Sequence, residues 1–166
     1  MEYNTDKEAA DNSVREDDKE TAIAPRKEPI FAGASLDELN KETTNTLMSA
    51  LGIRYTNVAD GRVEATMPVD GRTRQHFGIL SGGATVALAE TLAGVGSMMI
   101  CGAGQRAAGQ QVSANHISSA YEGDTVHAIA TLMHRGRTSH VWNIDVLTST
   151  DKLVSTVRVV NAILSI

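Results

Sequence analysis

Residues 79 to 100 read ILSGGATVALAETLAGVGSMMI and hold a single charged side chain, Glu90. A segment this long and this apolar has to be covered by something, and the choice is between lipid and protein. An acid at mid-span costs about 2.5–3.5 kcal/mol on membrane-insertion scales. No cluster of Lys or Arg flanks one end to orient a span. The rest of the chain alternates polar and apolar residues in strand-length runs, which need an apolar element to pack on. The run is therefore expected to be a central helix covered by a sheet, with no membrane partner.

The flanking sequence supplies that sheet. Residues 35–51, SLDELNKETTNTLMSAL, open with Ser35 and Glu38 at capping-box spacing and close at Gly52. Leu36, Leu39, Leu47 and Leu51 lean to one side, so one amphipathic surface helix is expected. Asp60-Gly61 marks a turn, and Val63, Ala65, Met67 and Val69 alternate with polar residues, so a hairpin follows. GRTRQHFGILSGG is a loop leading into the long helix. Beyond Gly104 the segments QQVSANHISSA, DTVHAIATLMH, SHVWNIDVLT and LVSTVRVVNAIL each read as a strand, separated by short polar breaks that suit antiparallel neighbours. The expected class is α+β, an antiparallel sheet wrapped around one long helix.

The chain has 166 residues and a formal net charge of −5, which disfavours nucleic acid as a partner because no basic face is available. Residues 1–30 carry −4 of that charge and few large apolar side chains. Residues 1–34 are accordingly read as an acidic, mobile tail, and 35–166 as the folded domain. The tail has neither the pattern of a secretory signal nor that of a transit peptide. Cys101 is the only cysteine, so no intrachain disulfide can form, and a reducing, cytoplasmic setting is expected. The five histidines show no ligand spacing with Cys, Asp or Glu, so no metal is expected.

TRQHFGILSGGATVALAE, followed by SANHISSAYEGD and RGRTSHVWNIDV, resembles the hotdog-fold acyl-CoA thioesterases. The likeness is greatest to the group acting on aromatic acyl-CoAs such as 4-hydroxybenzoyl-CoA, phenylacetyl-CoA and 1,4-dihydroxy-2-naphthoyl-CoA. It covers most of residues 50–166 and leaves the N-terminal tail outside. It implies a hotdog fold in which Gly82 and Gly83 begin the central helix, Glu90 is the catalytic carboxylate and Gln75 is a loop amide facing the acyl group or water. Elementary chemistry agrees. A helix N-terminus presents unsatisfied N–H groups and partial positive charge to an incipient oxyanion. Glycine allows a bulky thioester close to that backbone.

Gly83 and Glu90 are seven residues apart. Their backbones therefore lie about 10 Å apart along one helix. One carbonyl does not readily meet both. A second, antiparallel helix would bring its own Glu90 to the first helix's glycines, which predicts a homodimer with two shared sites. Pairing of dimers into a tetramer is left open. An acid at position 90 also fits a purely structural carboxylate satisfied by a nearby donor, but the glycine pair and the ANH strand favour catalysis.

The chain departs from the family pattern in places. Ser81 stands where relatives often carry His; serine can cap the helix but cannot supply a proton near neutral pH. Gly94, one turn beyond Glu90, stands where relatives often have Ser or Thr. It removes a polar contact and leaves room, so an acyl preference different from that of the hydroxybenzoyl enzymes is expected, although a helix-packing glycine explains it equally well. Arg135 and Arg137 in HRGRT suit the phosphates of coenzyme A, with Gly136 and Thr138 offering backbone groups to the pantetheine arm. A solvated hairpin tip explains the same two arginines equally well. His116 takes a position that resembles one near the nucleotide in relatives, although a satisfied strand histidine explains it at least as well, and Ser118 stands where some have Arg. Trp142 is expected in the core.

The expected function is hydrolysis of an aromatic or medium-chain acyl-CoA to free acid and coenzyme A. The Gly83 N–H polarises the carbonyl and Glu90 acts as nucleophile or general base. No cofactor is implied, since coenzyme A is part of the substrate. The rivals are a hotdog module that binds acyl-CoA without cleaving it, and a dehydratase or hydratase; the latter chemistry needs a His–acid pair that the sequence does not place.

Overall fold

A computed structural model of the protein describes residues 33–166. The expected acidic tail, residues 1–34, thus falls outside the described residues except for its last two positions. Helix α1, Leu36–Glu42, begins as the sequence predicts. Ser35 Oγ accepts the Glu38 N–H, and the Glu38 carboxylate accepts the Ser35 N–H at 2.8 Å, which is the reciprocal arrangement of a capping box.

The single helix expected over 35–51 is instead two, with α2 spanning Leu47–Leu51. The break falls in Thr43-Thr44-Asn45-Thr46. Thr43 and Thr44 turn their hydroxyls back onto the carbonyls of Asn40 and Lys41, and Asn45 adopts a left-handed φ of 61°. These residues compete with the helix for its own backbone groups. Gly52, at φ 72°, closes α2 with its N–H on the Met48 and Ser49 carbonyls, a left-handed cap that glycine adopts without strain.

Strands β1 (Arg54–Ala59) and β2 (Arg62–Pro68) form the hairpin around Asp60-Gly61, and α3 spans Gly82–Ile100. After it come β3 (Gln105–His116), β4 (Thr125–Arg135), β5 (Ser139–Leu147) and β6 (Leu153–Ser165). All pairings are antiparallel, in the order β1-β2-β4-β5-β6-β3. The chain thus places β3 at a sheet edge, beside β6 alone.

β3 starts earlier and ends sooner than the run QQVSANHISSA suggests. Gln105–Gly109 pair with the end of β6 despite their Ala- and Gly-rich composition. Ile117–Ala120 leave the sheet, and the Ala120 carbonyl accepts the Leu80 N–H at the entrance to α3.

One face of the sheet closes on α3. Leu88, Ala89, Leu92 and Ala93 of the helix meet Met67, Val126, Trp142, Ile144, Val157 and Val159, all essentially inaccessible to water. Gly96 admits Trp142: a Cβ there would lie 2.5 Å from the indole ring. Ser97 Oγ accepts hydrogen bonds from Trp142 Nε1 at 2.8 Å and Asn161 Nδ2 at 2.9 Å, tying helix to sheet inside the core. Length and composition alone would let α3 cross a membrane, but half of it is buried inside the fold. The layer order is the one the resemblance implies.

Candidate active site

The N-terminus of α3 is open. Ser81 occupies the N-cap position, but its side chain makes no capping hydrogen bond, contrary to the role expected for it. Its carbonyl accepts from both the backbone and the hydroxyl of Thr85. Among the described residues, the N–H groups of Gly82, Gly83 and Ala84 donate to no protein acceptor. Three orphan donors at the positive end of a nineteen-residue helix are suited to an oxygen that gains negative charge.

A cavity of about 300 Å³ opens at this end, lined by Gln75, Gly82, His116 and Ser118 together with Ile79, Leu80, Ile117 and Val154. Gln75 is held by its loop: its N–H donates to Ile79 O at 2.8 Å, and its side-chain oxygen accepts the Phe77 N–H at 3.0 Å. That leaves the amide NH₂ as the group Gln75 can donate to a ligand. His116 places Nδ1 2.8 Å from the buried Ser155 Oγ and turns Nε2 toward Gly82. The Ser118 hydroxyl donates to the Leu153 carbonyl, so only its lone pairs face the cavity. His76 stands outside, its ring 3.8 Å from that of Phe77.

Glu90 lies further along α3, outside this cavity. It is exposed, and among the described residues its carboxylate has no hydrogen bond or ion pair. The lone acid of the apolar run is therefore not sealed in the core. Gly83 and Glu90 are exposed and Gly94 is half-buried, the Glu90 carboxylate lies beside Gly109 of β3, and a Cβ at Gly94 would meet nothing within 4 Å.

The HRGRT turn lies at the opposite end of α3. Arg135 donates to the Ile100 carbonyl at 2.7 Å, where a cation complements the negative helix terminus. Arg137 and Thr138 are exposed. The Gly136 N–H is used by Ser139 O, and the Thr138 carbonyl by the Ile163 N–H, so these two groups are occupied within the sheet. With α3 about 28 Å long, one chain does not bring this turn near its own Gly82. Cys101 sits nearby with its thiol pushed up by burial, an effect partly opposed by the Arg135 charge, as an unreactive cysteine should be.

Sequence reasoning missed Ser155, which holds His116, and Gly109, which lies under Glu90. Nothing in the sequence distinguishes Ser155 from other strand serines. A glycine inside a strand does carry a signal, of a bulge or a close approach.

A family model of the thioesterase superfamily matches residues 77–155, from the loop before α3 to β6. The 1,4-dihydroxy-2-naphthoyl-CoA hydrolase of Escherichia coli is 37% identical over 130 residues, covering 78% of this chain and 95% of that protein. The chain belongs to the thioesterase superfamily. The proofreading thioesterase EntH of Cronobacter turicensis is 38% identical over 130 residues, 78% of this chain and 94% of its own. A crystal structure of a thioesterase from Haemophilus influenzae superposes with a TM-score of 0.76 at 37% identity, covering 80% of this chain and 92% of that one. This thioesterase therefore has the hotdog fold, and thioester hydrolysis is its chemistry.

Proposed function

We propose that this thioesterase hydrolyses aromatic or medium-chain acyl-CoA in the cytoplasm, at two equivalent sites of a homodimer. The observation that carries the reading is the separation of its two chemical halves. Among the described residues, the unpaired Gly82 N–H lines a cavity with Gln75 and His116 and the unpaired Gly83 N–H follows it, while a carboxylate without a hydrogen bond or ion pair stands outside that cavity. Along the helix the two are separated by about 10 Å. A second copy, helix antiparallel to the first, supplies the missing half to each site. The thioester oxygen accepts the Gly83 N–H. Glu90 of the partner subunit then attacks the carbonyl carbon or takes a proton from the attacking water. The tetrahedral intermediate collapses with loss of the coenzyme A thiolate, which takes up a proton; in the water route this gives the free acid directly, and in the nucleophilic route it leaves an anhydride on Glu90 that water then hydrolyses. The Gln75 NH₂ orients the acyl group or the water.

The same arrangement gives the HRGRT turn a use, because it brings the turn toward the partner's cavity. Arg135 and Arg137 then face the phosphates of coenzyme A, and Gly136 and Thr138 flank the pantetheine arm. The open space at Gly94 favours a larger acyl group. The substrate class is also supported by the relative that is named a hydrolase of an aromatic acyl-CoA.

The test is thiol release from a panel of acyl-CoAs by the wild type and by Glu90→Gln. The expected result is turnover in the wild type, with turnover lost and binding retained in the variant. Binding of acyl-CoA without thiol release by the wild type would identify a non-catalytic binding module. Unchanged turnover in Glu90→Gln would remove that carboxylate from the mechanism.

A further inference from the structure

Gly109 lies in the interior of β3, opposite Asn161 of β6, and the register slips by one residue between Gly109 and Gln111. Glycine costs stability inside a strand, so its presence there needs a cause. Backbone conformation is not the cause, since Gly109 has none of the positive φ seen at Gly52, Gly61 or Gly104. Space is. A Cβ built on Gly109 would stand 2.6 Å from Glu90 Oε1 and 3.7 Å from its carboxyl carbon. The third atom it would approach is Cγ of the same glutamate, at 3.9 Å. The three nearest atoms that would meet the added methyl thus all belong to Glu90.

We infer that Gly109 is a positioning residue for the Glu90 carboxylate, a bare patch of strand that leaves the acid room to lie against the β3 edge, where any larger side chain would displace it. The inference rests on the proposed role of Glu90 in hydrolysis. A Cβ at 109 would sit 2.6 Å from the carboxylate, against the 3.4 Å at which ordinary contact begins. To regain ordinary contact the carboxylate has to move away by about 0.8 Å. The group that moves is the free end of a flexible side chain, so the fold tolerates the change while the chemistry does not. Displacements of this size at a reacting group cost up to about 100-fold in rate.

The experiment is Gly109→Ala, made in the wild type and in Glu90→Asp, with kcat, KM and thermal midpoint measured on one acyl-CoA that the wild type cleaves. In the wild type, kcat is expected to fall between about tenfold and about 100-fold while KM stays within about twofold. In Glu90→Asp the shorter carboxylate stands back from the strand, and the added methyl should change kcat by less than about twofold. Equal losses in both backgrounds would mean that the methyl acts through the strand, and a loss below about twofold in the wild type would mean that it does not act; either overturns the inference.

Should Gly109→Ala not fold, Glu90→Ala is added. Recovery of the fold supports the contact, and continued failure overturns it. Full turnover by Glu90→Gln would instead remove the catalytic role on which the inference rests, whatever Gly109→Ala does.

Discussion

His116 Nε2 faces the first residue of α3 so closely that a Cβ on Gly82 would lie 2.8 Å from it, while Nδ1 is held 2.8 Å from Ser155 Oγ. The imidazole is therefore clamped between the helix entrance and β6, on the wall of the cavity. Gly82→Ala forces the ring outward, and the Ser155 bond must stretch or break. Gly82 opens the first turn, so alanine gains less there than in a helix interior, and loss of the bond to the buried Ser155 costs about 1 kcal/mol, so stability should fall slightly. Substrate binding should suffer, with KM up by about tenfold as the cavity narrows. Steady-state kinetics beside a thermal melt checks this; unchanged KM would show that the ring moves aside freely.

Among the described residues, Ser97 is the only partner of the Trp142 indole N–H, and both residues are fully buried. Ser97→Ala leaves that donor unsatisfied, and Asn161 keeps only its bond to the Ala93 carbonyl. The expected loss is about 1–3 kcal/mol, the desolvation cost of one orphaned group. It should appear as a lower denaturant midpoint with an unchanged slope.

These two cases show what the sequence discloses and what it withholds. The apolar run from 79 to 100 announces α3, and the two-residue alternation announces β4, β5 and β6 nearly to their ends, because burial on one face imposes its period on the residues. The break at Thr43–Thr46 is hidden because Leu36, Leu39, Leu47 and Leu51 keep a helical spacing across it, while the local hydroxyl bonds that open the helix leave no periodic trace. The start of β3 is hidden for the opposite reason: Gln105–Gly109 are strand by pairing with β6, not by propensity.

The site divides the same way. Gly82, Gly83 and Glu90 are legible because an acid and a glycine pair are costly where they stand. Ser155 acquires its place only through register, which sets it beside His116, and the strand glycine at 109 signals a bulge or a close approach without naming Glu90 as the neighbour.

His140 is buried on β5, and Nδ1 has no hydrogen-bond partner among the described residues. Burial, reinforced by the charges of Arg135 and His134, holds its pKa below the ordinary 6.5. The unfolded chain therefore takes up this proton first as pH falls. The stability contribution is complete above 6.5 and is lost as pH drops through that value toward the lower folded one. The depressed carboxylates Glu38, Glu64, Asp70 and Asp124 act at lower pH, below their ordinary 4.5 and 3.8. The thermal midpoint should thus fall from about pH 7 to about pH 5, and His140→Gln should flatten that part of the curve. Parallel curves for the two proteins would show that His140 does not titrate in this range.

A shared site makes a prediction that a site within one chain cannot. Gly83→Pro removes the N–H proposed to hold the oxyanion, at a helical position in the first turn, where proline is tolerated. Loss of one such donor costs about 100-fold to about 1,000-fold in kcat. Glu90→Gln removes the carboxylate instead. Each variant alone should be nearly inactive.

Co-expressed in equal amounts, half of the dimers combine one variant of each kind. In those dimers one site receives the intact amide from the Glu90→Gln chain and the intact acid from the Gly83→Pro chain, while the other site receives both defects. Activity should therefore return to about a quarter of the wild-type level. If amide and acid worked within a single chain, every site would keep one defect, and the mixture would stay as inactive as its parts. Thiol release by the co-expressed pair, against each variant alone, decides between the two.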